Sequence, residues 1–138
     1  MSTALRISEA ASLAFHTMAL LSAEPDRRHS ARELAETLRV SEAHLAKVMQ
    51  RLARRGFVDS VRGPGGGFSL GSGAGDVTLL EIFESIEGPF NPSNCLLGGM
   101  LCGGRRCIFG DLVKTVNDEV LAYLSGTRIC QLADVYQG

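Results

Sequence analysis

The chain has 138 residues, 45% of them hydrophobic and 21% charged, with four cysteines and a formal net charge of −1. That length allows one domain with a real core and is too short for two ordinary ones, and the composition excludes a disordered chain. No apolar run of about 18 residues occurs and the N-terminus lacks a signal-peptide pattern, so a cytoplasmic protein with no membrane partner is expected.

Ala11, Ala14, Phe15, Met18, Leu20 and Leu21 recur at helical spacing over positions 8–22, giving one buried stripe. Glu24-Pro25-Asp26 ends that helix, because proline cannot continue the hydrogen-bond ladder. Ser30-Ala31-Arg32-Glu33 reads as a capping box, in which Ser30 accepts from an early helical N–H and Glu33 reaches back to the cap. The helix it opens sends Leu34, Ala35 and Leu38 inward and ends near Leu38. Arg39-Val40 forms a short turn, and Ser41 is the expected cap of the next helix. There Leu45, Val48, Met49 and Leu52 repeat at i, i+3, i+4 and i+7, the pattern of a buried face. Arg54 and Arg55 suit a negative helix end, and Gly56 stops it. Two such helices joined by a short turn are a helix-turn-helix.

In FVDSVRGPGGGFSL, Phe57-Val58 and Phe68-Ser69-Leu70 have strand character, and Gly63 to Gly67 must turn between them. Strand, glycine turn and strand after a recognition helix make a wing, with Arg62 near a phosphate or a minor groove. Gly71 to Gly75 is a connector. Thr78 and Glu81 form a second capping box, for a helix with Leu79, Ile82, Phe83 and Ile86 on its apolar face, stopped by Gly88-Pro89. The glycine-rich stretch from Phe90 to Arg106 is too long to be idle in a compact domain. From about Ile108 a long helix carries Leu112, Val116, Val120 and Leu124 at every fourth position. That stripe needs a partner, expected to be the same helix of a second copy, with burial within the chain as the alternative. Gly126 ends it, and Thr127 to Tyr136 add a terminal turn or helix.

The expected fold is therefore mainly α with a small β-wing. Residues 1–75 are a winged helix-turn-helix DNA-binding region. Residues 76–138 are a cysteine-loop and dimerisation region with its dimer helix at about 108–125, and the two regions together make one compact domain.

Charge supports a nucleic-acid partner. From Arg27 to Arg62 there are nine Lys/Arg against four Asp/Glu, a net of +5, while the remainder carries five against eleven, a net of −6. A basic segment in an acidic protein is the footprint of nucleic-acid binding, although a solvated face would read the same on charge alone. The second helix of the motif turns Glu42, Ala43, His44, Lys47 and Arg51 outward. Glu42 can accept from a cytosine amine, and Lys47 or Arg51 can reach guanine or phosphate. Ser41 and the helix N-terminus suit a phosphate, as do Arg62 and the backbone donors near Gly65 and Gly66. Arg54 and Arg55 are expected to be solvated or to make nonspecific phosphate contacts.

Three cysteines form Cys95-x6-Cys102-x4-Cys107. Thiols stay reduced in the cytoplasm, so clustering favours metal or redox chemistry over disulfides. Thiolates are the ligands of iron–sulfur clusters, glycines let backbone N–H groups approach the sulfurs, and Arg105 and Arg106 favour the thiolate form. Zinc also takes thiolates, but no Cys-x2-Cys pair of a common structural module is present. A metal-free thiol switch is a further alternative. Cys130 is expected to be a buried structural cysteine.

Four stretches together resemble the IscR/NsrR-type (Rrf family) winged helix-turn-helix transcription regulators. They are ISEAASLAFHTMALLS, HSARELAETLRVSEAHLAKVMQRLARRGFVDSVRGPGGGFSL, TLLEIFESIEG, and the cysteine loop with its following helix. The resemblance covers nearly the whole chain, and SVRGPGGGFSL is its most specific piece. It implies a homodimer on a pseudo-palindromic double-stranded DNA operator, with an iron–sulfur cluster that often senses redox state, nitric oxide, oxygen or iron status. Family members with a histidine as fourth ligand place it three residues after the third cysteine, where this chain has Gly110. Others use an acidic residue early in the first helix of the partner subunit, and the matching position is Glu9, so the implied ligand set is Cys95, Cys102, Cys107 and Glu9. His16, two turns further along the same face, is a second candidate. The resemblance favours a four-iron cluster and also admits a two-iron one. The alternatives are a metal-free thiol- or ligand-responsive regulator and a cluster-bearing electron carrier. An enzyme is not expected, because no nucleotide-binding glycine motif or nucleophile–base constellation occurs.

Overall fold

The computed structural model describes residues 5–97, 102–103 and 106–136. Among them, helices α1 (Glu9–Ala23), α2 (Ala31–Leu38) and α3 (Glu42–Arg54) precede strands β1 (Val58–Val61) and β2 (Gly67–Leu70), and helices α4 (Leu79–Glu87) and α5 (Leu112–Gly126) follow. Short 3-10 segments occupy Ala74–Asp76 and Ile129–Tyr136. Among the described residues the fold is mainly helical with one two-stranded antiparallel sheet, in agreement with the expected mainly α fold with a small β-wing. None of these helices is long and apolar enough to cross a membrane.

Helix α1 is the central element. The Ser8 hydroxyl caps it by accepting from Ala11 N at 3.0 Å. Its buried set is wider than the expected single stripe: Leu13, Thr17 and Ala19 are buried as well, while Phe15 is only partly so. The reason is position, since α1 packs against α3, α4 and the terminal 3-10 segment together, and a helix enclosed on several sides is apolar on several sides. Met18, Leu21, Leu34, Leu45, Met49, Leu52, Ile82 and Ile129 fill the centre.

Ser30 caps α2 through Glu33 N at 3.0 Å, but only half of the expected capping box forms. The Glu33 carboxylate instead takes the Arg27 guanidinium, since a charged donor outcompetes a neutral backbone N–H. Arg39 then adopts the left-handed conformation (φ 58°, ψ 45°), which turns the chain sharply into α3. Ser41 caps α3 through His44 N at 3.1 Å, and Leu45, Val48, Met49 and Leu52 are buried as their spacing requires.

The wing is paired Val58↔Leu70, Asp59↔Ser69, Ser60↔Phe68 and Val61↔Gly67. Strand β1 thus runs further than the expected Phe57-Val58, and Gly67 belongs to β2 rather than to the turn. At Gly66 a Cβ would collide with the Val61 carbonyl, and at Gly67 (φ 144°) with the His29 carbonyl, so both positions require glycine.

Thr78 and Glu81 make the complete capping box of α4, worth about 1 kcal/mol by the usual scale of an N-cap. Leu79, Ile82 and Ile86 are buried, and Phe83 packs edge-on to Phe90 at 5.5 Å between ring centroids. Helix α5 begins at Leu112, not at Ile108. Gly110 takes a left-handed φ of 59° and its N–H closes a turn on Cys107 O at 3.0 Å, so the helical ladder cannot extend back through it. Cys130 is exposed rather than buried. Backbone bonds Leu79 N to Thr127 O (3.0 Å) and Ile129 N to Val77 O (2.9 Å) fix the phase of the terminal segment, which puts Ile129 in the core and its neighbour outside.

Candidate nucleic-acid interface and cysteine loop

The buried face of α3 sets its outer face. Opposite Leu45, Val48, Met49 and Leu52 lie the exposed side chains of Ala43, Lys47, Gln50 and Arg54. Ser41 and Glu42 are exposed at its N-terminal end, where free N–H groups and the helix dipole meet solvent. His44 is half-buried and, with Lys47 and Arg51, borders a groove whose far side is Ser8, Ile86 and Glu87. The Arg51 Nη1 donates to Ile86 O at 2.6 Å. Gln50 was missed by the sequence reading. The signal was present, since Ala43, Lys47, Gln50 and Arg54 recur at i, i+4, i+7 and i+11 opposite the apolar face.

On the other side of α3, a groove lined by Ala46, Gln50 and Ala53 separates the helix from Ser60 to Gly63 and Gly66 of the wing. Arg62 is exposed beside it. The wing tip is held by Arg28, whose Nη1 donates to Gly65 O at 3.1 Å. Its base is held by the paired bonds His29 N to Phe68 O (2.8 Å) and Phe68 N to His29 O (2.7 Å). Lys47, Gln50, Arg62 and the wing glycines are therefore displayed by two elements of fixed relative position. Burial pushes the His29 imidazole below its ordinary pKa, and the Arg27 charge adds to that, against the weaker pull of Glu33 and Glu24.

The cysteine loop lies between α4 and α5. Cys95, Cys102 and Cys107 all lie on it, the first half-buried and the others exposed. Ser93 forms a tight turn here, with Cys95 N donating to Ser93 Oγ at 3.0 Å and the hydroxyl donating to Cys95 O at 2.9 Å. Asn117 of α5 anchors this turn, its Nδ2 reaching Ser93 O at 3.1 Å and Asn94 Oδ1 at 3.0 Å. Phe109 N–H points at Cys107 Sγ at 3.4 Å, the kind of backbone donor that tunes a metal-bound sulfur. By donor chemistry the three thiols fit an iron–sulfur cluster. Among the described residues, no three His, Cys, Asp or Glu side chains are gathered to hold a metal ion. Arg105, expected to acidify these thiols, lies outside the described residues, and Arg106 is exposed next to Cys107.

Glu9 is exposed in the first turn of α1 and shares a pocket with His16, Arg39 and Tyr136. His16 Nδ1 meets Ser12 O at 2.7 Å, and its ring stands edge-on to Tyr136 at 6.4 Å. The structure thus brings Glu9 and His16 together, as their spacing implied.

The sequence model of the Rrf2 family, described as iron-dependent transcriptional regulator, matches residues 7–135. The chain belongs to the Rrf2 family. Its members are transcription regulators, not enzymes. Similar curated proteins include the HTH-type transcriptional regulator IscR of Enterobacter sp. (strain 638), 28% identical over 102 residues. That match covers 74% of this chain and 63% of the relative, so the Rrf2 chain spans less than two thirds of the relative's length. Among solved structures, CymR, the global cysteine regulator of B. subtilis, is 27% identical with a TM-score of 0.75, covering 95% of this chain and 98% of CymR. IscR of T. potens has a TM-score of 0.70 at 20% identity over 97% of this chain and 90% of its own, a likeness of fold.

Proposed function

We propose that this Rrf2-family protein is a homodimeric regulator whose binding to a pseudo-palindromic operator is controlled by an iron–sulfur cluster sensing redox state, nitric oxide, oxygen or iron status. Residues 1–75 form the DNA-reading region and residues 76–138 the cluster and dimer region. The observation that carries this reading is the placement of Cys95, Cys102 and Cys107 on one loop between α4 and α5, with a backbone N–H on the Cys107 sulfur.

Cys95, Cys102 and Cys107 would hold the cluster, four-iron in the favoured form, and Glu9 of a second copy would complete it. When bound, the group supplies a reactive iron with an exchangeable oxygen ligand. The apolar stripe of α5 supports the homodimer: Leu112 is 57% and Tyr123 60% exposed, large apolar area for a free surface.

On DNA, the N-terminal half of α3 enters the major groove. Ser41 meets a phosphate, Glu42 and Lys47 face base edges, and His44 and Arg51 border the same face. Arg62 and Gly65 of the wing meet the backbone beside it, while the Gly66 N–H, expected as a further donor, is given to Gly63 O at 2.9 Å and shapes the turn instead. The protein is expected to work in the cytoplasm, where DNA and reduced thiols coexist.

The test is iron and sulfide analysis of protein purified without oxygen, with operator binding compared before and after cluster removal. Matched iron and sulfide and a change in affinity support the reading. Colourless protein whose DNA binding is unaffected by reconstitution overturns the cluster. A metal-free thiol-responsive regulator is the second reading, favoured by the exposure of Cys102 and Cys107 and by likeness to CymR.

A further inference from the structure

We propose that Arg51 is a positioning residue that pins the recognition helix α3 to the last turn of α4, and so ties operator binding to the path of the cysteine loop. The proposal deepens the function proposed above and rests on it. Arg51 differs from Lys47 in being engaged: its Nη1 donates to Ile86 O at 2.6 Å, part-buried between the two helices. The final carbonyls of a helix have no partner within it, and a guanidinium there also answers the negative end of the dipole. A charge-assisted bond of this kind is about twice as strong as a neutral one.

The end of α4 is the point where the chain leaves for the cysteine loop. Gly88, two residues after Ile86, reverses the chain at φ 82°. Glu84 closes the exit from both sides: its carbonyl accepts from Gly88 N at 3.0 Å and its carboxylate accepts from Phe90 N at 3.0 Å. Three residues on, Ser93 and Asn94 are held by Asn117 of α5, and Ser93 holds Cys95. The Glu87 carboxylate takes the Ser8 hydroxyl, which ties the same turn to the start of α1. The α4 terminus is thus fixed at once by the recognition helix, the first helix and the loop. A change in the loop's path shifts this terminus and, through Arg51, the tilt of α3. A residue acting only on DNA would have no reason to cap α4.

The experiment compares Arg51→Ala, Arg51→Gln and Lys47→Ala with the wild-type protein, each as the anaerobically purified full chain. Amide exchange is followed at Gly88 and Phe90 without DNA, and operator affinity is followed across salt concentrations. For Arg51→Ala we expect roughly tenfold faster exchange at both amides and roughly tenfold weaker operator binding, as for loss of one hydrogen bond to a charged group. The slope of log affinity against log salt should stay as in wild type. Arg51→Gln keeps a donor and should fall between the two, and it serves if the alanine variant does not fold. Lys47→Ala should leave exchange alone and reduce the slope by about 0.9, as for loss of one phosphate contact. Unchanged exchange in the Arg51 variants overturns the proposal, as does a slope reduced by about 0.9, which would make Arg51 a phosphate contact. If Lys47→Ala binds like wild type, the DNA-reading face is wrong and the proposal falls with it. The exchange arm, measured without DNA, tells that failure from a failure of the Arg51 link alone.

Discussion

His29 and Phe68 exchange two backbone hydrogen bonds, of 2.8 and 2.7 Å, and so stitch the wing to the segment that leads into α2. The His29 side chain is buried beneath this bridge, and its Nε2 has no hydrogen-bond partner. The segment leading into the helix-turn-helix is thus joined to the wing at a buried ionisable residue.

That residue gives a pH dependence. Burial first, and then the Arg27 charge, lower the His29 pKa in the fold, against the opposing pull of Glu33 and Glu24. The unfolded chain titrates at about 6.5. As pH falls below that value the unfolded state takes up a proton that the folded state refuses, so stability is lost until the lower folded-state pKa is passed. Urea midpoints measured from slightly alkaline to mildly acidic conditions should fall in wild type and fall less in His29→Gln. Parallel profiles for the two proteins would show that His29 contributes nothing.

The bridge also requires Gly67. A Cβ there meets the His29 carbonyl, and its φ of 144° is strained for any side chain. Gly67→Ala should destabilise the protein by about 1–3 kcal/mol and weaken operator binding through a displaced wing. Gly65, where a Cβ finds open space, should be milder despite its φ of 72°. Thermal melts with matched binding curves rank the two.

The α5 stripe is graded along its length: Leu112 is 57% exposed, Val116 39% and Leu124 6%. Leu112→Glu with Val116→Glu should dissociate the dimer and leave the protomer folded. Leu124→Ala, in the core, should instead cost about 2–5 kcal/mol of stability. Sedimentation velocity and denaturant melts separate the outcomes, and a double variant that still sediments as a dimer would move the interface elsewhere.

Gln50 should read a base. It lies on the exposed line of α3 one turn beyond Lys47 and lines the groove between the helix and the wing. Gln50→Ala should relax preference at one operator position by ~1–3 kcal/mol, with the salt slope unchanged. Selection of bound sequences from a randomised operator shows this directly. An unaltered preference at every position would leave Gln50 as surface only.

Cysteine and carboxylate should separate by severity. Cys107→Ser removes the sulfur that receives the Phe109 N–H, and iron and sulfide should be lost on purification. Glu9→Ala should still bind iron but lose it faster in air, as for a weaker oxygen ligand. Equal retention by both variants would remove these residues from the site.

Much of the fold was legible because its signals are local. Ser30, Ser41 and Thr78 cap their helices, Gly56 and Gly88 take positive φ at their ends, and the apolar spacing of α3 and α4 names their buried faces. Capping and periodicity depend on a few neighbouring residues, so one sequence suffices to read them. The same holds for the outward line of α3, including Gln50, which its spacing from Ala43 and Lys47 places there.

The tertiary structure decided what depends on distant partners. Glu33 was drawn from the α2 cap to Arg27, because a guanidinium is the stronger donor. Cys130 was turned outward because backbone bonds to Val77 and Thr127 fix the phase of the last segment around Ile129. Arg51 acquired a carbonyl 35 positions away, at the end of α4. Sequence alone determined a winged helix-turn-helix followed by a cysteine loop and an apolar helix, since each is written in short-range pattern. Which polar groups satisfy one another was left to packing, because only the packed chain decides which partners, however remote in sequence, come within hydrogen-bond reach.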